Sequence, residues 1–246
     1  MLMDKYFEAM KNVLAEIENT QRENIIKASN IVVESLTNGG MWHINDTGHM
    51  LMFEGVGRTG GMMALRPIII NCTIENPTRY RERLNGQTFT YDKIEGFSDF
   101  VLGQCNLRSG DVLIIGSVSG YNKLPIDMAL KAREMGIKTI AITSVQYSEG
   151  LKSAHPSKLR LFEAVDVVLD NCSKFGDTLV NVPEINQEIC PSSGIGSSYL
   201  MWALQSTIIE KLIEKGLNPS VYISRHMPNS DEINGTAKAN YQKLGY

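Results

Sequence analysis

A basic excess is missing from this chain: 24 lysines and arginines face 27 aspartates and glutamates, a formal charge of −3. Without surplus cations there is no general grip on a phosphodiester backbone, which argues against a nucleic-acid partner. Long apolar runs are missing too. Stretches such as Ile68-Ile69-Ile70 fall far short of the roughly 20 residues that span a bilayer. Residues 1–12 carry charges where a secretory leader needs an apolar segment, so the expected location is the cytoplasm, off the membrane. Cysteine is scarce: Cys72, Cys105, Cys172 and Cys190 have no CxxC spacing, which favours reduced thiols over disulfides or a zinc site. The four histidines, at 43, 49, 155 and 226, lack the spacing of a metal-binding helix, and no metal or cofactor is expected. Also absent are a Walker A sequence and a GxSxG nucleophile elbow, since the middle residue of 116–120 is Val118. No repeat or low-complexity tract appears.

What is present suffices for one α/β domain over residues 1–246, because 246 residues at 43% hydrophobic can bury an ordinary core. Phe7, Met10, Leu14, Ile17, Ile25, Ala28, Val32 and Leu36 recur at helical spacing. They predict two N-terminal helices over 1–38, broken near 18–21, ahead of an α/β core over 39–246. Strands are expected at 41–44, 68–71, 112–115, 137–143, 165–170 and 221–224, and Leu200, Leu204, Ile208 and Leu212 stripe a late helix. Alternating strands and helices imply a three-layer α/β/α arrangement around a doubly wound, mostly parallel sheet. Between 75 and 106 the pattern weakens into a polar stretch holding Tyr80, Phe89, Tyr91 and Phe97.

Residues 111–144 carry the strongest local signal. Val112, Leu113, Ile114 and Ile115 read as a strand buried on both faces, and Gly116-Ser117-Val118-Ser119-Gly120 breaks it with hydroxyls and flexible backbone. Asn122 can cap the helix that follows, Pro125 suits its first turn, and Gly136 is placed to end it before the next apolar strand. This βαβ unit offers an anion hydroxyls, backbone N–H groups and the positive end of a helix dipole. Residues 191–198, Pro-Ser-Ser-Gly-Ile-Gly-Ser-Ser, open the late helix and read both as a serine-rich N-cap and as a second anion-binding helix start. Gly55-Val56-Gly57-Arg58-Thr59-Gly60 matches GxGxxG by letter. It does not directly follow a strand, so dinucleotide binding is not its expected role.

These residues resemble a known family. Residues 111–122, Asp-Val-Leu-Ile-Ile-Gly-Ser-Val-Ser-Gly-Tyr-Asn, with Ile140-Ala-Ile-Thr-Ser144 beyond the helix, look like the central motif of SIS (sugar isomerase) domains, which bind phosphosugars on a flavodoxin-like α/β/α fold. The chain is similar in particular to the small single-domain SIS proteins of the UPF0309 type. Ser153-Ala-His155-Pro-Ser-Lys158-Leu159, Ala164-Val-Asp166-Val-Val-Leu-Asp170-Asn171, Gly176-Asp177, Pro191-Ser192-Ser193 and the tail around Ser224 and Asp231 match them in order.

The resemblance implies a phosphate or similar anion held by Ser117, Ser119 and Gly120 near Asn122, with Ser192 and Ser193 opposite and Thr47 and Gly48 contributed by the first loop. It implies a homodimer or homotetramer with sites between subunits and the N-terminal helices in the dimer packing. Family isomerases move a proton between adjacent sugar carbons through an enediol, which needs a carboxylate base and a group polarising the carbonyl. Glu54 matches the position of such a glutamate in phosphoheptose-isomerase-like relatives, and His49, His155 or His226 would assist ring opening. One departure stands out: where SIS domains usually read Gly-x-Gly-x-Ser after the first strand, this chain has Asn45-Asp46-Thr47-Gly48-His49-Met50. Asp46 adds a negative charge there, which suits a different sugar or a head group such as sulfonate. The expected activity is aldose–ketose isomerisation of an anionic sugar; the rivals are a non-catalytic sugar-phosphate sensor and an amino-sugar-phosphate lyase or etherase.

Overall fold

The computed structural model describes residues 1–48, 50–71 and 94–246. Two helices come first, α1 (Leu2–Thr20) and α2 (Arg22–Thr37), divided at Gln21. The division is pinned from outside, because the buried Gln21 side chain accepts the Asp170 N–H through Oε1 at 3.0 Å. After them run β1 (Trp42–Asp46), α3 (Met50–Glu54), β2 (Leu65–Pro67), α4 (Phe97–Gln104), β3 (Val112–Gly116), α5 (Lys123–Glu134) and β4 (Lys138–Thr143). The short α6 (Val145–Glu149) and α7 (Leu161–Ala164) lead to β5 (Val167–Asp170). A hairpin of β6 (Val180–Val182) and β7 (Gln187–Ile189) precedes the long α8 (Ser193–Glu214) and the final α9 (Ser230–Leu244).

Strands β1 to β5 form one sheet in the order β2-β1-β3-β4-β5, with every pair parallel. Because successive side chains of a strand face opposite ways, β3 feeds both layers. Val112 and Ile114 join Ile140, Ile142 and the buried residues of α1, α2 and α8 on one face. Leu113 and Ile115 join Ala141 and the buried residues of α4, α5 and α7 on the other. The chain is therefore an α/β/α sandwich whose N-terminal helices share a core with the sheet.

Two strand expectations need correction. The edge strand lies at 65–67 and not at 68–71: Pro67 pairs with Ile44, Ile68 N–H donates once more to the Ile44 carbonyl at 2.7 Å, and the ladder ends. A proline cannot donate to a ladder, which confines it to an edge such as this. Residues 221–224 form no strand; Val221 makes a single antiparallel bridge to Met62. Of the polar stretch at 75–106, residues 75–93 lie outside the described residues, and 97–104 is helix. Among the described residues no helix is long and apolar enough to cross a membrane.

Candidate functional site

In a doubly wound sheet of order 2-1-3-4-5, the crossovers from β1 and β3 leave in opposite directions, which opens a crevice between the carboxyl ends of those strands. A small cleft of about 40 Å³ lies there, lined by Asp46, Gly48 and Leu51 from the β1 side and Gly116, Ser117 and Val118 from the β3 side. Ser193, Gly194 and Ser197, at the start of α8, close it from across, and Ile142 lines it from β4. The lining offers three serine hydroxyls and one carboxylate over an apolar floor.

The β3 loop presents a run of backbone amides before the start of α5. Ser117 N–H continues the ladder to the Ile142 carbonyl at 3.0 Å. The Val118 carbonyl is taken from behind by Ser144 N–H at 3.0 Å and by the Thr143 hydroxyl at 3.2 Å. The amides of Val118, Ser119, Gly120 and Tyr121 donate to no acceptor among the described residues, and neither does the half-buried Ser119 hydroxyl. Gly120 has φ +56°, and a β-carbon there would stand 3.0 Å from both the Ser148 and Thr143 hydroxyl oxygens, so the turn needs glycine on two counts. Asn122 holds the N-cap position of α5 without a side-chain capping bond, and Pro125 is in the first turn.

The β1 loop is organised by Asp46, whose Oδ1 accepts Gly48 N–H at 2.9 Å and whose Oδ2 accepts Leu51 N–H at 3.2 Å. Thr47 is tied to β3, its N–H and hydroxyl both donating to the Gly116 carbonyl at 3.0 and 3.1 Å. At the start of α8 the cap comes from elsewhere than the expected serines. Asp177, in the loop before β6, accepts the N–H groups of Ser192 and Ser193 at 3.0 and 2.9 Å. Its carboxylate also takes the Ser193 hydroxyl at 2.5 Å and the Ser192 hydroxyl at 3.2 Å. Ser192 is fully buried behind the cleft, its hydroxyl oxygen also 3.0 Å from Ser173 Oγ, whereas Ser193 reaches the lining.

The structure thus brings Gly48, Ser117 and Ser193 onto one cleft, with Thr47, Ser119, Gly120 and Asn122 on its two loops. Glu54 stands outside the lining at the end of α3, 37% exposed, with Arg58 Nε 3.3 Å from its carboxylate. His155 lies against α5, its Nε2 2.7 Å from Asp127 Oδ1. His49 lies outside the described residues, and His226 is exposed near the start of α9. The GxGxxG letters form a loop whose edge pairs with the tail: Gly60 N–H donates to the Tyr222 carbonyl at 2.7 Å and Tyr222 N–H to Gly61 at 3.0 Å. Burial, and then the neighbouring Asp170, push the Cys172 thiol up to about 12, so it is no nucleophile near neutral pH.

Comparison with known proteins agrees with this fold. The family model described as SIS domain matches residues 5–144. A UPF0309 protein of Geobacillus thermodenitrificans is 31% identical over 235 residues, covering 95% of this chain and 92% of the relative. Another from Halalkalibacterium halodurans is 32% identical over 243 residues, covering 97% of each. This chain belongs to the SIS domain family, among its UPF0309 proteins. Solved SIS-fold structures similar to it include phosphoheptose isomerases from Neisseria gonorrhoeae and Francisella tularensis. Their TM-scores are 0.54 and 0.51, each at 17% identity over 85% of this chain, covering 97% and 96% of theirs. At that identity they show the SIS fold alone.

Within this SIS domain, reasoning on the sequence missed Ser197, Asp127 and the capping role of Asp177. Ser197 belongs to a serine run that was legible, but only the turn of α8 shows which serines face the cleft. Asp127 sits amid a helix with no local pattern to mark it. Asp177 was visible as part of a matching Gly-Asp pair, though its partners lie 15 and 16 residues away.

Proposed function

We propose that this SIS protein binds a phosphorylated or similarly anionic sugar and interconverts its aldose and ketose forms. The observation that carries this reading is the β3 loop. Four consecutive amides, Val118 to Tyr121, without acceptors among the described residues, and the hydroxyls of Ser117 and Ser119 lie between the end of β3 and the positive end of α5, beside the crevice where this topology holds ligands. The similar phosphoheptose isomerases add support of the same kind. With the anion on this loop, the sugar carbons extend toward α3, where Glu54 serves as the base. It takes the proton from the carbon beside the carbonyl, giving an enediolate; the proton of that carbon's hydroxyl passes to the former carbonyl oxygen, and Glu54 returns its proton to the former carbonyl carbon, so the net change is isomerisation.

Glu54 is held only by an ion pair open to solvent, which is worth at most about 1 kcal/mol and yields readily to a substrate. Because Glu54 lies outside the cleft lining of one chain, the reading includes a homodimer or homotetramer. A second copy, packed through the N-terminal helices, closes the site of this single-domain cytoplasmic protein.

A thermal-shift screen against pentose, hexose and heptose phosphates, amino-sugar phosphates, sugar sulfonates and their uncharged parents tests the anion site, since native-state binding raises Tm by mass action. Stabilisation by an anionic sugar and not by its parent, lost in Ser119→Ala, is expected; no stabilisation by any compound refutes the reading. With that compound as substrate, Glu54→Gln is expected to abolish turnover while affinity stays within about tenfold. Proton NMR of the product separates isomerisation from elimination.

A further inference from the structure

A cluster of titratable groups lies outside the cleft, on the far side of the β3 loop. The His155 ring, its side chain 10% exposed, is held at both nitrogens. Nδ1 receives the Ser157 N–H at 3.0 Å and lies 2.6 Å from the Ser157 hydroxyl. A backbone N–H can only donate, so Nδ1 carries the lone pair and the proton is on Nε2. From there it is donated to Asp127 Oδ1 at 2.7 Å, and Lys123, one turn earlier on α5, donates to the other oxygen of Asp127. Every polar atom of the imidazole is committed in the neutral state. To act as a base, His155 would have to release the Ser157 amide.

The segment that carries His155 grips the anion loop from both ends. Ala154 N–H donates to the Tyr121 carbonyl at 2.9 Å, and Leu161 N–H to the Gly120 carbonyl at 2.8 Å. Between those points the segment is folded on itself: the Ser153 hydroxyl donates to the Leu159 carbonyl at 2.6 Å and accepts the His155 N–H at 3.1 Å. Residues 154–161 therefore form a bracket over the Gly120-Tyr121 corner. Near its start it is hydrogen-bonded to α5 through His155 and Asp127, and at its end Leu161 is buried in one apolar cluster with residues of α5.

We propose that Asp127 is a positioning residue: through the neutral, Nε2-protonated His155 it fixes the bracket that holds the Gly120-Tyr121 corner and its unpaired amides in the shape an anion needs. His155 on this view transfers no proton to substrate. The consequence for anion affinity rests on the proposed function above, but the effect on the loop itself does not, and the two are separable by experiment.

Amide hydrogen exchange of the unliganded protein reads the loop directly. Asp127→Ala and His155→Asn are expected to speed exchange at the Ala154 and Leu161 amides, which donate to the corner, by tenfold or more, with the β4 amides unchanged; wild-type rates in both variants overturn the proposal. His155→Gln can still offer an N–H to Asp127 where Nε2 stood, so it is expected to restore slow exchange, a rescue that simple loss of the ring would not give. Nitrogen NMR of the wild-type imidazole is expected to show the proton on Nε2, and a proton on Nδ1 refutes the assignment. Binding is then measured with inorganic phosphate and fructose 6-phosphate. If either binds wild type, Asp127→Ala and His155→Asn are each expected to weaken it about tenfold and the double variant no further; full additivity contradicts a shared path. If no compound of the thermal-shift screen binds wild type while exchange still responds, the functional reading fails and the positioning role stands.

Discussion

Gly116 and Asp46 face each other across β1 and β3, and that pairing sets how the first loop can be built. A β-carbon on Gly116 would lie 2.4 Å from Asp46 Oδ1 and 2.8 Å from its Cγ. The carboxylate cannot simply swing aside, because Gly48 and Leu51 amides hold its two oxygens. Gly116→Ala is therefore expected to cost about 1–3 kcal/mol by overpacking and to loosen Gly48 at the cleft, as measured by urea denaturation with exchange at Gly48. Unchanged stability would show that Asp46 moves freely. A second residue sets a pH response. His43 in β1 is buried, its Nε2 has no hydrogen-bond partner among the described residues, and Asp111 Oδ2 stands 3.9 Å away. Burial foremost, with Arg66 adding to it, holds the imidazole below the usual histidine range despite the pull of Asp111. The unfolded chain then binds a proton near pH 6.5 that the folded chain refuses, so this contribution is whole above pH 6.5 and is lost as pH falls below it. Stability measured from pH 8 to pH 5.5 is expected to fall less steeply in His43→Gln than in wild type, and equal slopes would remove His43 as the cause.

At the scale of elements, the start of α8 shows how a plausible local reading gives way to a distant partner. A serine at the helix start would ordinarily be its cap, yet Asp177 supplies the cap and turns the serines into donors. Asp177→Ala leaves two amides and the buried Ser192 hydroxyl seeking other partners, which is expected to cost about 1–3 kcal/mol. In a chain of this size that lowers Tm by roughly 2–4 °C per kcal/mol. Asp177→Asn keeps one acceptor oxygen and is expected to cost less; a Tm unmoved by either variant would mean that water caps the helix equally well. The same contrast explains what was legible beforehand. The two N-terminal helices, β3, α5 and β4 announce themselves because period and capping are properties of neighbouring residues. The edge strand slipped by three residues because Ile68, Ile69 and Ile70 look more strand-like than Leu65-Arg66-Pro67, and pairing with β1 outranks composition. The Ser117–Gly120 loop was readable as a strand end meeting a helix start. The cleft itself was not, since its walls are 70 residues apart in β1 and β3 and farther still in α8.

The whole molecule is bound by one feature that strand and helix patterns do not display: α1 and α2 complete the core on one face of the sheet. Ile17 is 1% exposed, and its Cδ1 lies 3.2 Å from where a β-carbon on Gly196 of α8 would stand. Trp42, fully buried at the start of β1, belongs to the same apolar cluster. A pair of helices that merely leaned on the domain would melt before the sheet. Helices that share its core cannot leave without exposing β3 and β4, so the chain is expected to unfold in one cooperative transition. Urea titrations followed by far-ultraviolet circular dichroism, which weights the helices, and by tryptophan fluorescence, which includes Trp42, are expected to give coincident curves. Ile17→Ala removes packing from α1 alone, at a cost of about 2–5 kcal/mol for a buried aliphatic side chain, and is expected to shift both curves by the same amount. A variant in which ellipticity falls first while Trp42 stays buried would divide the protein into two units and move the domain boundary to the end of α2.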